Sequence, residues 1–364
     1  MKILHVESGM HLYGGALQVV FLIRALRNLG HECVLACPEN SDIAEAARPY
    51  AMVHTLRMSG DLDVGMVPRL RALIKREQPD VVHLHSRRGA DIWGGVAARS
   101  ASCPVVLSRR VDNPEPAWLA KLKYRLYDRV VTISEGIFRV LASEGVPRDK
   151  LRCVRSAVDT DQYRPAKGDG LARQLLLSEF AVRPDQLAVG MVAQFIPRKG
   201  HRTLLNALPT VIAACPQIKV LLFGQGPIAD EIRKSIADSP VLSQHVVMAG
   251  FRRDLDQILP GLDLLVHPAY MEGLGVSLLQ AAACGVPLIG GRAGGIPEIV
   301  HPGVNGELIE PGDAVGLAAA MVDVLSSSER RRAYSEAGRE LVLARFSIDA
   351  MVRGNLAVYQ ELLV

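Results

Sequence analysis

The chain has 364 residues, of which 49% are apolar, 22% charged and 5% aromatic, with 32 glycines and 21 prolines. That balance excludes a disordered chain, a collagen-like repeat and a coiled coil, and a prior of about 150 residues per domain gives two domains, each able to bury a core without a disulfide or metal staple. The formal charge of +4 is uneven: residues 1–167 hold 25 Lys and Arg against 18 Asp and Glu, the remainder 17 against 20, so the first half is the one suited to anionic partners, with a solvated basic surface as the plain alternative.

In chain order, short apolar runs alternate with amphipathic stretches. Strands are predicted at 3–6, 34–37, 81–84, 105–107, 130–133 and 151–154, and helices at 16–29, 64–75, 91–99 and 116–127. The rhythm breaks over residues 155–170, RSAVDTDQYRPAKGDG, a polar, turn-rich linker. It then restarts with strands at 187–192, 220–223, 246–248, 262–267 and 287–289 and helices at 201–214, 228–236, 273–284 and 313–325. Residues 328–362 read as helical with one polar side. Strands separated by helices imply a parallel sheet with both faces covered. The fold class is therefore α/β: two doubly wound, Rossmann-like domains, 1–167 and 168–346, facing across a cleft with their ligand edges at the carboxyl ends of the strands.

The cysteines Cys33, Cys37, Cys103, Cys153, Cys215 and Cys284 form no C-x-x-C pair and no zinc spacing. They read as buried free thiols in a reducing compartment. The apolar run Ile3-Leu4 is shorter than a secretory h-region, and no stretch of 18 apolar residues occurs. The expectation is a cytoplasmic chain without a membrane span.

Four loops after strands, with a lesser fifth, carry the candidate chemistry. The segment from Glu7 to Gly14-Gly15 opens a helix, where a glycine pair lets backbone approach a phosphate. It is not a G-x-G-x-x-G dinucleotide fingerprint, and a simple turn is the alternative. Gln194 to Gly200 places Arg198 and Lys199 at a helix start, where the dipole favours negative charge, so a bound phosphate would resolve the conflict. Glu272-Gly273-Leu274-Gly275-Val276 opens a further helix, with Gln280 two turns on; an acidic N-cap region alone accounts for Glu272. Gly290-Gly291-Arg292-Ala293-Gly294-Gly295 and Gly224-Gln225-Gly226 are close-approach loops. Several such loops on one sheet edge exceed what turns alone require.

Together, GG at 14–15, VDTDQYRP at 158–165, PRKGH at 197–201, FGQGP at 223–227, GFRRDL at 250–255, EGLGVSLLQAAACGVP at 272–287 and GGIPEIV at 294–300 resemble the retaining GT-B glycosyltransferases of family 4, glycosyl transferase group 1. The resemblance runs almost end to end. It implies that Lys199 contacts the diphosphate of a nucleotide-sugar donor, that Gly14 and Gly15 bring backbone N–H groups to the same diphosphate, and that Glu272 binds the transferred sugar with help from Gly273, Leu274, Gly275 and Val276. Gln194, Gly224 and Gln280 fall at donor-binding positions, and Phe251 and Arg252 near the nucleobase. The resemblance also implies that the last helix, 347–364, crosses back to complete the first domain. The chemistry implied is front-face transfer with retention, in which the leaving phosphate takes the acceptor proton and the protein supplies positioning and electrostatic stabilisation. No cofactor is implied beyond the nucleotide sugar as substrate.

Three departures stand out. Ala193-Gln194 replaces the family's Gly-Arg pair, leaving Arg198 as the substitute cation. Gln280 replaces the second acid of E-x7-E; its carbonyl can still accept from a ribose hydroxyl. Arg110 occupies the place of a histidine near the reacting sugar. Asp61/Asp63, Asp159/Asp161 and Asp254/Asp256 form D-x-D strings in unrelated contexts, and no metal is expected at any of them.

On the acceptor side, Arg87-Arg88 and Arg109-Arg110 follow successive strands, an arginine cluster suited to phosphate or carboxylate; salt-bridged surface arginines are the alternative. Of His83 and His85, one is expected in the core. Residues 118–127, WLAKLKYRLY, mix basic and aromatic residues on a helix that could rest on an anionic membrane or pack with its lysines solvated. Arg87, Arg109 and Arg110 are thus the acceptor-binding candidates. The partners expected are a nucleotide sugar and a glycan or lipid-linked acceptor, with peripheral contact at the inner membrane face and no nucleic acid. The pathway expected is cell-envelope polysaccharide or glycolipid synthesis. A non-catalytic nucleotide- or glycan-binding protein, suggested by Gln194, Gln280 and Arg110, and a nucleotide-sugar epimerase are the competing readings.

Overall fold

A computed structural model describes residues 1–363 apart from 13, 86–88, 112, 114, 167 and 169, and divides the chain into two units. The first unit is Met1–Ala157 with Ile348–Val364; the second is Val158–Ser347. The division thus falls after Ala157, at the start of the polar segment rather than at 167.

The first unit runs β1 (Lys2–Val6), α1 (Gly14–Asn28), β2 (Glu32–Pro38), α2 (Asp42–Ala47), β3 (Met52–Leu56), α3 (Met66–Glu77), β4 (Val81–Leu84), α4 (Ala90–Ser100), β5 (Val105–Arg109), α5 (Ala117–Lys123), β6 (Arg129–Thr132), α6 (Glu135–Ser143) and β7 (Leu151–Cys153). All seven strands are parallel, in the order β3-β2-β1-β4-β5-β6-β7. The order reverses between β1 and β4, and ligands of doubly wound sheets bind outside the carboxyl ends of the strands at such a point.

The second unit runs α7 (Leu171–Phe180), β8 (Leu187–Val192), α8 (His201–Ala214), β9 (Ile218–Phe223), α9 (Ala229–Ala237), α10 (Pro240–His245), β10 (Val246–Gly250), α11 (Leu255–Ile258), β11 (Leu264–His267), α12 (Val276–Ala283), β12 (Leu288–Gly291), β13 (Gly306–Ile309), α13 (Ala314–Ser326) and α14 (Ser328–Arg345). Its six parallel strands lie in the order β10-β9-β8-β11-β12-β13, reversing between β8 and β11. The fold class is the expected α/β pair of parallel sheets.

The central strands are apolar runs because both of their faces are covered. Val189, Met191, Val220, Leu222, Leu264 and Val266 are all buried against α8, which turns Leu204, Leu208 and Val211 inward at helical spacing. Each such leucine contributes about 1.5–3 kcal/mol through burial.

The stretch at 328–362 is two helices. Phe346 and Ser347 interrupt it, each pairing with Val158, and α15 (Ile348–Gln360) packs on α1 in the first unit with Met351, Val352, Val358 and Tyr359 buried. All six cysteines are free, five of them buried.

Candidate active site

In the second unit, β8 and β11 are neighbours, with Leu264 opposite Val189. The loops that follow them leave the same edge of the sheet side by side. After β8 comes a single 3-10 turn, Pro197–Lys199, then Gly200 and α8; after β11 come residues 268–275 and α12. The loops are tied together where Tyr270 N–H donates to the Arg198 carbonyl at 2.8 Å. Gly200 has a φ of +81°, and a Cβ there would stand 2.0 Å from the Pro268 carbonyl oxygen. Gly224 (φ +146°) lets the β9 loop approach the β8 loop in the same way, its absent Cβ falling 1.9 Å from Ala193 O. No other residue type meets both demands.

This geometry sets Lys199 against Glu272. The Lys199 ammonium donates to Glu272 Oε2 at 2.5 Å. His267 Nε2 donates to the same oxygen at 2.9 Å, and Gly273 N–H donates to Oε1 at 3.1 Å. The lysine and glutamate side chains are only 12% and 17% exposed. Burial by itself would raise the Glu272 pKa; the hydrogen bond and charge of His267, then the charge and hydrogen bond of Lys199, outweigh it and hold the carboxylate down to about 2. Behind this trio lies His201, buried, edge-on to Phe195 at 4.9 Å between ring centroids, with both ring nitrogens unpartnered among the described residues. Burial, with His267 and Lys199 adding to it, lowers its pKa to about 4. The product is an ammonium and an ionised carboxylate, both immobilised, beside the N-terminal end of α8, where anions are favoured.

Sequence reasoning singled out Lys199 and Glu272 but missed His267 and His201. His267 enters the sequence reading only as a strand end, and His201 only as a helix start and the last residue of PRKGH; the signal is their position, since His267 ends one strand and His201 opens the helix after its neighbour.

The other candidates distribute unevenly. Arg198 is exposed and turned toward Met271, with Nη1 3.8 Å from the sulfur. Gln194 is also exposed. The helix expected from 273 begins at Val276, because Gly275 takes a φ of +101° as its N-cap; Leu274 and Gly275 are buried. Gln280 is half-buried and hydrogen-bonds Tyr163. Phe251 is 51% exposed. Arg252 is bound by Asp254, with Nε to Oδ1 at 2.8 Å, and by Glu179, with Nη1 to Oε2 at 2.6 Å. Of the D-x-D acids, Asp63 pairs with Arg69, Asp254 with Arg252, and Asp159 Oδ1 accepts from the backbone of Asp161 and Gln162.

Two family profiles match this chain: Glycosyltransferase Family 4 over residues 13–162 and Glycosyl transferases group 1 over 175–341. The chain belongs to the family 4, group 1 glycosyltransferases. It is similar to the sulfoquinovosyl transferase SQD2 of Arabidopsis thaliana, at 25% identity over 87% of this chain and 65% of that protein. It also resembles a GDP-mannose-dependent phosphatidylinositol monomannoside mannosyltransferase of Corynebacterium glutamicum, at 33% over 54% and 52%. The chain therefore spans between half and two thirds of the length of these two relatives. The lipopolysaccharide core glycosyltransferase LpsE of Rhizobium meliloti matches at 27% over 98% of both chains. The fold is that of Anabaena Alr3699/HepE, whose crystal structure holds UDP: TM-score 0.86, 19% identity, 99% of this chain and 100% of that one.

In the first unit the candidates fare differently. Gly14 and Gly15 open α1 and are exposed. Arg87, with its neighbour Arg88, lies outside the described residues. Arg109 is a correction: its side chain is 2% exposed, donating from Nη1 to Glu115 at 3.1 Å and from Nη2 to the Asn113 carbonyl at 2.6 Å. It ends β5, every residue of which is buried, and its guanidinium is taken up by Glu115 and Asn113. Arg110 is half-buried beside Gly15, with Nη1 3.4 Å from Ser156 Oγ; burial lowers its pKa to about 10, with Glu7 opposing.

Both His83 and His85 are buried, where one was expected in the core. His5, opposite His83 in register, joins them, so that one ring nitrogen of each lies within 4.8 Å of the others. The rings are partnered internally: His5 Nδ1 to His85 Nε2 at 2.9 Å, and His83 to Tyr359 Oη at 2.6 Å and Ser108 Oγ at 2.8 Å. The basic-aromatic stretch also splits. Lys123, Tyr124 and Tyr127 are buried, Lys123 pairing with Asp91 at 2.7 Å and Glu115 at 3.2 Å. Trp118, Leu122, Lys121 and Arg125 remain exposed. No helix among the described residues is long and apolar enough to cross a membrane.

Proposed function

We propose that this glycosyltransferase moves a sugar, with retention, from a nucleotide-diphosphate donor to a hydroxyl of an anionic, lipid-linked or glycan acceptor in cell-envelope synthesis. The observation that carries the reading is the Lys199–Glu272 pair, immobilised beside a helix N-terminus at the carboxyl edge of β8 and β11. An ammonium placed there suits the diphosphate, and a carboxylate kept ionised suits sugar hydroxyls, which can only donate to it. In the transfer, the bond from the anomeric carbon to the diphosphate oxygen breaks and the bond to the acceptor oxygen forms. The acceptor proton passes to the leaving phosphate. Lys199 and Arg198 stabilise the charge that develops on that phosphate, in place of a metal ion. Gln194, Gly224, Leu274 to Val276, Phe251 and Gln280 line the donor's path, and Arg110 with Gly14 and Gly15 serves the first unit's substrate edge.

The acceptor class is supported by the relatives that act on phosphatidylinositol mannoside and lipopolysaccharide core. The exposed Trp118, Leu122, Lys121 and Arg125 suit peripheral contact with an anionic cytoplasmic leaflet. Isothermal titration and thermal-shift panels of UDP, GDP, ADP and their sugars test the donor site, since a ligand bound only by the folded state raises the melting temperature. One nucleotide series is expected to bind, its sugar to be hydrolysed slowly without acceptor, and EDTA to change neither. A flat panel at millimolar ligand would remove the reading.

A further inference from the structure

We infer that Glu272 competes internally with the donor's diphosphate for Lys199, and that His267 is the positioning residue that keeps this carboxylate in place while Lys199 changes partner. The inference rests on the donor-site reading above and extends it to the order of affinities at that site.

The hydrogen bonding around Glu272 is lopsided. Lys199 Nζ and His267 Nε2 converge on one oxygen, Oε2, at 2.5 and 2.9 Å, while Oε1 receives only the Gly273 N–H at 3.1 Å. A short ammonium–carboxylate contact with both groups largely withdrawn from water is a charge-assisted bond. Any diphosphate that recruits Lys199 must first break it. Breaking it does not strand the carboxylate, because His267 and Gly273 remain as donors. His267 donates to Oε2 from Nε2, and its other ring nitrogen, Nδ1, takes no part in that bond. That nitrogen is buried and unpartnered among the described residues, so the ring gains nothing by flipping. The side chain itself is 2% exposed at the end of β11. His267 is therefore a fixed anchor and Lys199 an exchangeable partner.

The exchange has a consequence for specificity. When Lys199 turns to a diphosphate, one acceptor direction on Oε2 is vacated. A sugar hydroxyl on the same donor can fill it, so an intact nucleotide sugar replaces what it displaces. A nucleoside diphosphate without its sugar recruits Lys199 and leaves Oε2 short of a donor. The resting pair thus weakens product relative to substrate, and the carboxylate recaptures Lys199 after transfer.

The experiment is titration calorimetry of UDP, GDP, UDP-glucose, GDP-mannose and inorganic pyrophosphate against the wild-type chain, Glu272→Gln, His267→Gln and His267→Leu. Glu272→Gln is nearly isosteric and removes the competing charge. It is expected to bind whichever nucleoside diphosphate the wild type binds, and pyrophosphate, about tenfold more tightly, while losing affinity for the matching nucleotide sugar. His267→Gln can still donate from its amide and is expected to keep the wild-type ratio of sugar-nucleotide to nucleotide affinity. His267→Leu is expected to lower that ratio and raise KM for the nucleotide sugar. If the wild type binds a nucleoside diphosphate and Glu272→Gln binds it equally or more weakly, the inference is overturned. If His267→Leu keeps the wild-type ratio, its assignment to His267 is overturned. If no nucleotide binds the wild type at all, the failure lies with the donor-site reading instead.

Discussion

Two cations that look alike in the sequence do different work. Arg109 belongs to a buried chain in which Arg109 and Lys123 both donate to Glu115 Oε1 and Lys123 also reaches Asp91. Removing one member of such a network leaves an uncompensated buried charge, a loss of about 3–5 kcal/mol. Lys199 is a largely buried charge on a loop, but its partner Glu272 keeps two other donors. Arg109→Ala is therefore expected to lower stability by about 3 kcal/mol and to leave nucleotide affinity in the folded fraction unchanged. Lys199→Gln is expected to cost little stability and to reduce kcat by about 10²–10³. Denaturant melts and steady-state rates on the two variants check the contrast; equal effects on both quantities in both variants would contradict it. Neither fate was readable beforehand. Both arginines of the Arg109-Arg110 pair looked like acceptor ligands, because a pair of charges at a strand end does not reveal that Glu115 and Asn113 hold the first of them.

At the scale of elements, the unread strands have a common cause. The two strands that went unrecognised, β3 and β13, are edges of their sheets. Their sequences, MVHTL and GELI, carry exposed or half-exposed polar positions, whereas strands buried on both faces advertise themselves as apolar runs. The break between α14 and α15 was hidden because both flanks keep helical periodicity, and only the pairing of Phe346 and Ser347 with Val158 marks it. Conversely, β4, β8 and α8 were predicted to the residue, since apolar runs define the strands locally and Gly200 marks where α8 opens. The loops after β8 and β9 stand out in the sequence for a related reason: their glycines are demanded by close approach. That demand is testable by contrast. A Cβ on Gly200 would meet backbone at 2.0 Å at a φ of +81°, while one on Gly14 meets nothing within 4 Å. Gly200→Ala is expected to lose at least about 2 kcal/mol and to loosen the Lys199–Glu272 geometry, lowering nucleotide affinity. Gly14→Ala is expected to fold with wild-type stability, so that any loss of its turnover reports on substrate approach. Thermal melts paired with nucleotide titrations separate the two.

For the whole molecule, the buried histidines set the response to acid. His5 has its pKa lowered to about 3 by burial; burial, with neighbouring positive groups, depresses His83 and His85 well below the usual histidine value, and His201 to about 4. Each stays neutral when folded and takes up a proton when the unfolded chain is below its ordinary value of about 6.5. The stability they support is therefore fully present above pH 6.5 and is lost as pH falls from there toward the folded values, at up to about 1.4 kcal/mol per pH unit for each histidine. Glu272 and Glu361, both held down to about 2, add a second loss that begins only below the ordinary carboxylate range. Three of the four histidines sit in the first unit, around the β1–β4 reversal and against Tyr359 of α15, and one in the second. The first unit should thus give way to mild acid before the second. Melting curves at pH 7.5, 6.5 and 5.5 are expected to show little change across the first interval and a marked fall across the second, with proteolysis at pH 5.5 cutting within 1–157 sooner than within 158–347. His201→Leu, which removes one titrating ring without removing a hydrogen bond, should flatten the acid loss of the second unit alone. A melting temperature constant between pH 7.5 and 5.5 would show that these rings do not stay neutral in the folded chain.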